Sequence, residues 1–131
     1  MIKQRGATAA TATTAAAASE RAAAFEKVCV ITGANTGLGF ISAGEIAKKP
    51  GYRVVMACRD VSRAEKAAAD VLAATGHAVD VIKLDLSSLD SVDAFVAEFT
   101  GKYDRCDVLM NNAGVMALPE RSLTVGLYTT R

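Results

Sequence analysis

From Lys27 to Met110 the chain alternates between short, β-branched apolar runs and longer segments in which apolar residues recur every three or four positions. This alternation is typical of a β-α-β chain that folds around a parallel sheet. Strands are predicted over residues 27–32, 52–58, 78–84 and 107–111. Helices are predicted between the glycine-rich stretch after the first strand and Pro50-Gly51, over 63–74, and over 89–102.

Four strands joined by three right-handed helical crossovers predict a Rossmann-type, doubly wound parallel α/β sheet. The strand order expected for one such half is 3-2-1-4, so the sheet is incomplete. Ser62-Arg63-Ala64-Glu65 has the spacing of a capping box and is expected to start the second helix. The first helix is expected to bury one apolar face, formed by Phe40, Ile41, Ala43, Ile46 and Ala47.

The stretch Thr32-Gly33-Ala34-Asn35-Thr36-Gly37-Leu38-Gly39 joins the first strand to the first helix. A strand, a glycine-rich turn and a helix start together present backbone N–H groups to a phosphate. Gly33 is expected to leave the strand, Gly37 to admit a pyrophosphate, and Gly39 to bring the helix close to the sheet. The spacing is one residue wider than the general dinucleotide fingerprint, and such turns also occur without a ligand, so nucleotide binding needs support from elsewhere in the chain.

The end of the second strand indicates which dinucleotide fits. An acidic side chain there accepts from a ribose 2′-hydroxyl, whereas an arginine accommodates a 2′-phosphate. Arg59 leaves the strand before Asp60, and Arg63 can add a second cation, so NADP(H) is favoured over NAD(H). Two alternatives stay open: Arg63 is a solvated residue of the helix, or Asp60 pairs with one of the arginines.

Composition narrows the function classes. The chain has 131 residues, 51% of them hydrophobic, and a net charge of +1, which is typical of one globular domain and gives no electrostatic reason to expect nucleic acid or an anionic membrane as a partner. No apolar run approaches the roughly 20 residues that span a bilayer. Cys29, Cys58 and Cys106 lack metal-site spacing and are expected to be small buried residues. With His77 as the only histidine, no metal site is predicted.

The two ends of the chain differ from its middle. Residues 1–26 are rich in Ala and Thr, contain Lys3 and Arg5, and are predicted to be a disordered tail. Their basic, hydroxylated composition is also that of transit peptides, so a plastid or mitochondrial location is an alternative to a cytoplasmic one. Residues 27–117 are predicted to form the nucleotide-binding half-domain, and residues 118–131 an irregular tail.

Four stretches resemble, in order and spacing, motifs of the short-chain dehydrogenase/reductase family. The sequences around Cys58-Arg59-Asp60 and Leu84-Asp85-Leu86-Ser87 look most like the retinol dehydrogenase and protochlorophyllide reductase branch. The resemblance covers residues 27–117 and implies an oxidoreductase that binds NADP(H). The stretches are Thr32-Gly33-Ala34-Asn35-Thr36-Gly37-Leu38-Gly39, Ala57-Cys58-Arg59-Asp60, Leu84-Asp85-Leu86 and Asn111-Asn112-Ala113-Gly114.

The resemblance also implies which residues contact the cofactor. Asp85 would bind the adenine amino group beside the Leu86 backbone, although it could instead cap the next helix, a task open to Ser87 or Ser88. At least one of Asn111 and Asn112 is expected to tie the fourth strand to the first through its amide. The remaining implied contacts are Asn35, Thr36 and Leu38 near the phosphates and ribose, Arg59 and Arg63 at the 2′-phosphate, and Asn112, Ala113 and Gly114 on the ribose side.

The catalytic Tyr-x-x-x-Lys pair of the family is not found in these 131 residues. Met56 stands four residues after Tyr52, and Asp107 four after Tyr103. We therefore expect no catalytic residue here, and predict an oxidoreductase chain without its catalytic half. The alternatives are a noncatalytic dinucleotide-binding module and a nonfunctional fragment. The small-molecule substrate stays open among retinoids, steroids, chlorophyll precursors and simple carbonyl compounds, and an unpaired sheet edge could associate with another chain.

Overall fold

The computed structural model describes residues 27–126, so predictions for residues 1–26 and 127–131 lie outside the described part. Parallel strands form one sheet of order β3-β2-β1-β4, which confirms the predicted incomplete Rossmann-type α/β fold. The strands are β1 (Lys27–Thr32), β2 (Tyr52–Cys58), β3 (Asp80–Lys83) and β4 (Val108–Met110). The helices are α1 (Gly37–Ala47), α2 (Val61–Thr75) and α3 (Leu89–Lys102).

The two central strands are buried on both faces, which explains why their sequences are almost continuously apolar. Helices α1 and α2 cover one face, and α3 covers the other. Because successive strand residues point to opposite faces, β1 and β2 contribute to both layers. Their residues on the first face are Cys29, Ile31, Val54, Met56 and Cys58; on the second they are Val28, Val30, Val55 and Ala57.

The start of α2 differs from the prediction. Asp60, not Ser62, is the N-cap residue, and its Oδ1 accepts the backbone N–H of Arg63 at 3.0 Å. The predicted capping box is therefore wrong, because Asp60 has the extended backbone of a cap (φ −96°, ψ 100°) and the helix already includes Ser62. At the other end Gly76 adopts φ +74° and closes the helix, as expected. Strand β3 begins at Asp80, two residues later than predicted.

Ile41 was expected on the buried face of α1, but its side chain is 59% exposed, so this prediction is wrong. The helix lies on the sheet through small residues spaced four apart, namely Gly39, Ala43 and Ala47. Ile41 falls outside this stripe. In the described part of the chain β4 is an edge strand, and Leu109 on it is 57% exposed. Association of another chain at this edge stays a prediction.

The cysteines fall into two classes. Cys29 and Cys58 are buried in the core, as predicted, whereas Cys106 is exposed, so the prediction for Cys106 is wrong. Cys106 lies in the short connection between α3 and β4, the strand at the side of the described sheet. Burial raises the pKa of the Cys29 thiol, which keeps it protonated.

A polar cluster at the amino ends of β2 and β3 fixes the end of α3 to the sheet. The Arg53 Nε donates to Asp80 Oδ2 at 2.6 Å, and the Tyr103 hydroxyl donates to the same carboxylate oxygen. The Tyr103 ring packs on Phe99, with 5.1 Å between ring centroids. Burial, reinforced by the Asp80 carboxylate, raises the pKa of Tyr103 to about 12. This cluster lies at the amino ends of the strands, whereas the glycine-rich turn lies at their carboxyl ends.

Replacing Tyr103 with Phe is expected to reduce the loss in free energy of unfolding that the protein undergoes at alkaline pH. The pKa of Tyr103 is about 12 in the folded chain against its usual 10.0, so its contribution to stability is complete below pH 10 and is lost as pH rises toward 12. A shift of this size corresponds to about 3 kcal/mol. In urea unfolding, the free energy of unfolding of the wild type should fall by this amount more than that of Tyr103→Phe over this pH window.

Tyr52→Phe, at a half-buried tyrosine on β2, is the matched control and should follow the wild type. Parallel pH profiles for the wild type and Tyr103→Phe would contradict the assignment.

Candidate functional site

The predicted site residues lie at the carboxyl ends of the parallel strands, which are all on the same end of the sheet. Gly33 follows β1 and Arg59 follows β2, while Asp85 and Asn112 lie two residues beyond β3 and β4. Open parallel α/β sheets bind their ligands at this edge. The fold therefore gathers side chains from all four strand ends into one region.

The glycine-rich turn makes two distinct uses of glycine. Gly33 has φ +64°, and its N–H donates to the Ala57 carbonyl at 2.9 Å as the chain leaves the sheet. A Cβ on Gly33 would lie 3.0 Å from Ala113, so the turn and the segment after β4 touch here. Gly37 has φ +58°, and a Cβ on it would meet no atom within 4 Å. Gly37 thus faces open space at the start of α1.

Helix α1 begins without a side-chain cap. Thr36 occupies the N-cap position, but its side chain accepts no hydrogen bond from the helix, and the first turn holds no acidic residue. In contrast, Asp60 caps α2 and Ser88 caps α3. The first N–H groups of α1 and the positive end of its dipole are therefore available to an anion beside Gly37.

Thr32 and Asn112 join the end of β1 to the segment after β4. The buried Thr32 Oγ1 accepts the N–H groups of Asn112 (3.1 Å) and Ala113 (2.9 Å). The Asn112 Nδ2 donates to the carbonyls of Thr32 (3.0 Å) and Gly33 (3.3 Å). One asparagine was expected to tie these strands together, and Asn112 does so, while Asn111 is exposed.

Gly39 packs directly against this tie. A Cβ on Gly39 would lie 2.5 Å from the Asn112 Nδ2 and 2.9 Å from the Gly33 carbonyl oxygen, closer than real Cβ contacts allow. Gly39 therefore brings α1 against the turn and the Asn112 amide. The role of Thr32 was not predicted from sequence, although a hydroxyl residue ending an apolar strand was a signal for it.

Two residues after β3, Asp85 makes a local turn. Its Oδ1 accepts from the Ser87 hydroxyl (2.7 Å) and backbone N–H (2.9 Å). These bonds, aided by the positive charge of Arg59, lower the pKa of Asp85. Asp85 does not cap α3, because Ser88 occupies the N-cap position. The backbone N–H of Asp85 donates to Ser91 Oγ at 2.9 Å. Both carboxylate bonds use Oδ1, which leaves Oδ2 for another donor.

The two arginines have different surroundings. Arg59 is exposed and close enough to Asp85 to act on its pKa. Arg63 is 77% exposed at its side chain, and its Nε lies 3.5 Å from Asp60 Oδ2. Asp60 therefore pairs with Arg63, which was one of the open alternatives.

The remaining predicted contacts line the same edge with varied exposure. Asn35 and Asn112 are half-buried, whereas Thr36, Leu38, Leu86, Ala113 and Gly114 are exposed. A cleft of about 290 Å³ beside Leu86 is also lined by Ser87, Leu89 and Thr124.

Cys58, the last residue of β2, is buried next to the start of the glycine-rich turn. Burial raises the pKa of the Cys58 thiol, and the nearby backbone N–H groups of Ala34 and Asn35 act in the opposite direction. The sequence carried no signal for this proximity, since Cys58 stands in an apolar run like any other core residue.

The arrangement fits a dinucleotide. It offers open space at Gly37, uncapped N–H groups on α1 and a cation, Arg59, at the end of the next strand. Within residues 27–126 no three His, Cys, Asp or Glu side chains come together as metal ligands. Over the same residues no helix is long and apolar enough to span a bilayer.

Comparison with known sequences agrees with this geometry. The family model described as short chain dehydrogenase matches residues 27–125. Mouse retinol dehydrogenase 12 is 47% identical over 104 residues, which cover 79% of this chain and 33% of the mouse protein. Human retinol dehydrogenase 13 is 44% identical over 94 residues, covering 71% of this chain and 28% of that protein. The chain thus spans about a third of the length of these relatives.

Solved structures share the fold and include complexes with cofactors. A metagenomic short-chain oxidoreductase in complex with NADP is 37% identical, with a TM-score of 0.63, over 70% of this chain and 40% of that one. The L-sorbose reductase of Gluconobacter frateurii, complexed with NADPH and L-sorbose, is 33% identical, with a TM-score of 0.63, over 71% of this chain and 35% of that one.

Members of this family are oxidoreductases that bind a nicotinamide dinucleotide. Sequence motifs, strand order and relatives all lead to the same assignment. The chain belongs to the short-chain dehydrogenase/reductase family, in its retinol dehydrogenase branch.

Proposed function

We propose that this chain forms the NADP(H)-binding part of a short-chain oxidoreductase that acts on a small carbonyl compound or alcohol. The observation that carries the proposal is the uncapped start of α1, where Gly37 faces open space. Arg59 at the end of the neighbouring strand supports the choice of NADP(H) over NAD(H). The proposal assigns cofactor binding to this chain, and not the proton transfer to or from the substrate.

In this proposal each strand end binds one part of the dinucleotide. The turn after β1 holds the phosphates through backbone N–H groups, and Arg59 and Arg63 meet the 2′-phosphate. Asp85 accepts the adenine amino group through its free Oδ2, next to the Leu86 backbone. The contacts on the phosphate and ribose sides are Gly33, Asn35, Thr36, Gly37, Leu38, Gly39, Asn112, Ala113 and Gly114.

The bound cofactor would supply hydride chemistry, and the residues of this chain would hold it in place. The Thr32 and Asn112 hydrogen bonds support this role, because they keep the turn after β1 and the segment after β4 at a fixed separation. The names of the relatives favour retinol or a similar alcohol, or the matching aldehyde, as the substrate.

A Gly37→Ala variant is expected to weaken NADPH binding by about tenfold or more, because its methyl group would occupy the space proposed for the pyrophosphate. Isothermal titration of the purified chain with NADPH measures this directly.

Gly76→Ala is the matched control for Gly37→Ala. Gly76 also has a positive φ (+74°), and a methyl group on it would meet no atom within 4 Å, but it ends α2 instead of starting α1. Both variants carry a backbone cost of about 1 kcal/mol or slightly more. Only Gly37→Ala should lose NADPH affinity. Equal affinities for the two variants, or a wild type that does not bind NADPH, would contradict the proposed function.

A further inference from the structure

We infer that Asp60 is a positioning residue that limits the preference for the 2′-phosphate by holding Arg63 in an ion pair. The inference rests on the proposed function. Asp60 uses both carboxylate oxygens on the same neighbour: Oδ1 accepts the Arg63 backbone N–H at 3.0 Å, and Oδ2 lies 3.5 Å from the Arg63 Nε.

The two contacts have different consequences. The bond from the Arg63 backbone caps α2 and fixes where the helix begins. The contact with the Arg63 side chain is an exposed ion pair, which draws the Nε of the guanidinium toward the Asp60 carboxylate and competes with an incoming anion. Asparagine caps helices as well as aspartate does, so the first contact can be kept while the second is removed.

The surrounding charges decide the direction of the effect. Arg59 precedes Asp60, and Arg59 and Lys83 are near enough to Asp85 to lower the pKa of its carboxyl. Three cations, Arg59, Arg63 and Lys83, and two carboxylates, Asp60 and Asp85, thus lie at or shortly after the carboxyl ends of β2 and β3. A 2′-phosphate dianion must compete with Asp60 for Arg63, whereas a 2′-hydroxyl need not. Removing the charge of Asp60 should favour NADPH and leave NADH almost unaffected.

A different role for Asp60 would be to accept the ribose 2′-hydroxyl of NADH, as an acidic residue at this strand end can. The geometry disfavours this, because both of its oxygens already face Arg63. The two roles predict opposite results: neutralising an acceptor of the ribose hydroxyl weakens NADH binding, whereas neutralising a competitor for Arg63 strengthens NADPH binding.

The test is calorimetric titration of the purified full chain with NADPH and with NADH. Asp60→Asn is expected to tighten NADPH binding by about two- to fivefold, the range set by an exposed ion pair, and to leave NADH binding unchanged. Arg63→Gln should weaken NADPH binding. In the Asp60→Asn, Arg63→Gln double variant the gain from Asp60→Asn should disappear, because no guanidinium is left to release.

Asp70→Asn is the matched control, since it removes an exposed carboxylate further along α2. It should leave both affinities unchanged. The thermal midpoint of Asp60→Asn should equal that of the wild type, because the cap is kept, while Asp60→Ala should unfold earlier.

Three results would overturn the inference alone: an unchanged ratio of NADPH to NADH affinity in Asp60→Asn, the same gain in the Arg63→Gln background, or a loss of NADH binding. A wild type that binds neither nucleotide would overturn the proposed function as well.

Discussion

Arg59→Glu is expected to abolish any preference of this chain for NADPH over NADH. A charge-assisted contact between a guanidinium and a phosphate contributes about 1.5 to 3 kcal/mol, so the ratio of the two affinities should fall by about 10- to 100-fold. The glutamate would in addition repel the 2′-phosphate and could accept from the 2′-hydroxyl of NADH. Titration of the wild type and the variant with both nucleotides measures the change.

Lys49→Glu is the matched charge reversal for this experiment. Lys49 is exposed and lies between α1 and the amino end of β2, away from the carboxyl ends of the strands. Reversing the charge of Lys49 therefore changes the net charge equally without touching the proposed site. It should keep the wild-type ratio of affinities. A ratio that is unchanged in Arg59→Glu, or that changes equally in both variants, would refute the assignment of Arg59 to the 2′-phosphate.

Gly39→Ala is expected to lower the free energy of unfolding by about 2 to 4 kcal/mol, combining overpacking with a weakened Asn112 hydrogen bond. The new methyl carbon would lie 2.5 Å from the Asn112 Nδ2, and two further contacts at 2.9 and 3.0 Å are with backbone atoms that cannot easily move. The amide that ties the end of β1 to the segment after β4 must therefore shift. Denaturant unfolding measures the loss, and NADPH binding should fall with it.

Gly44→Ala, five residues later in the same helix, separates crowding from helix propensity. A methyl group on Gly44 would meet no atom within 4 Å, so alanine should stabilise α1 by about 0.5 to 1 kcal/mol. If both substitutions stabilise the protein, the inference that Gly39 is too closely packed to accept a methyl group is wrong.

The order and type of the secondary-structure elements could be predicted because their signals are local. Apolar residues at a period of two or in a continuous run mark strands, and recurrence at three and four residues marks helices. The bounds of β1, β2 and α3 agree with the prediction to the residue. Strand order followed from the right-handed connections between parallel strands, which permit few arrangements of so short a chain.

Local signals were less decisive where several residues could perform the same task. Asp60 and Ser62 are both residue types that cap helices well. Asp60 is the N-cap because its backbone is extended, whereas Ser62 already lies within the helix. The apolar face of α1 was misjudged at Ile41, because small residues, not large ones, set how closely the helix lies on the sheet.

By itself, then, the sequence determined the sheet, its strand order, the glycine-rich turn and the edge at which a ligand would bind, since each depends on neighbouring residues or on general rules of chain connection. Only the tertiary structure decided that Thr32 and Asn112, 80 residues apart, join the strand ends, and that Asp80 links Arg53 with Tyr103. The physical reason is that such bonds form between distant parts of the chain. Their partners are selected by strand register and by the need to satisfy buried polar groups, and no local period encodes either.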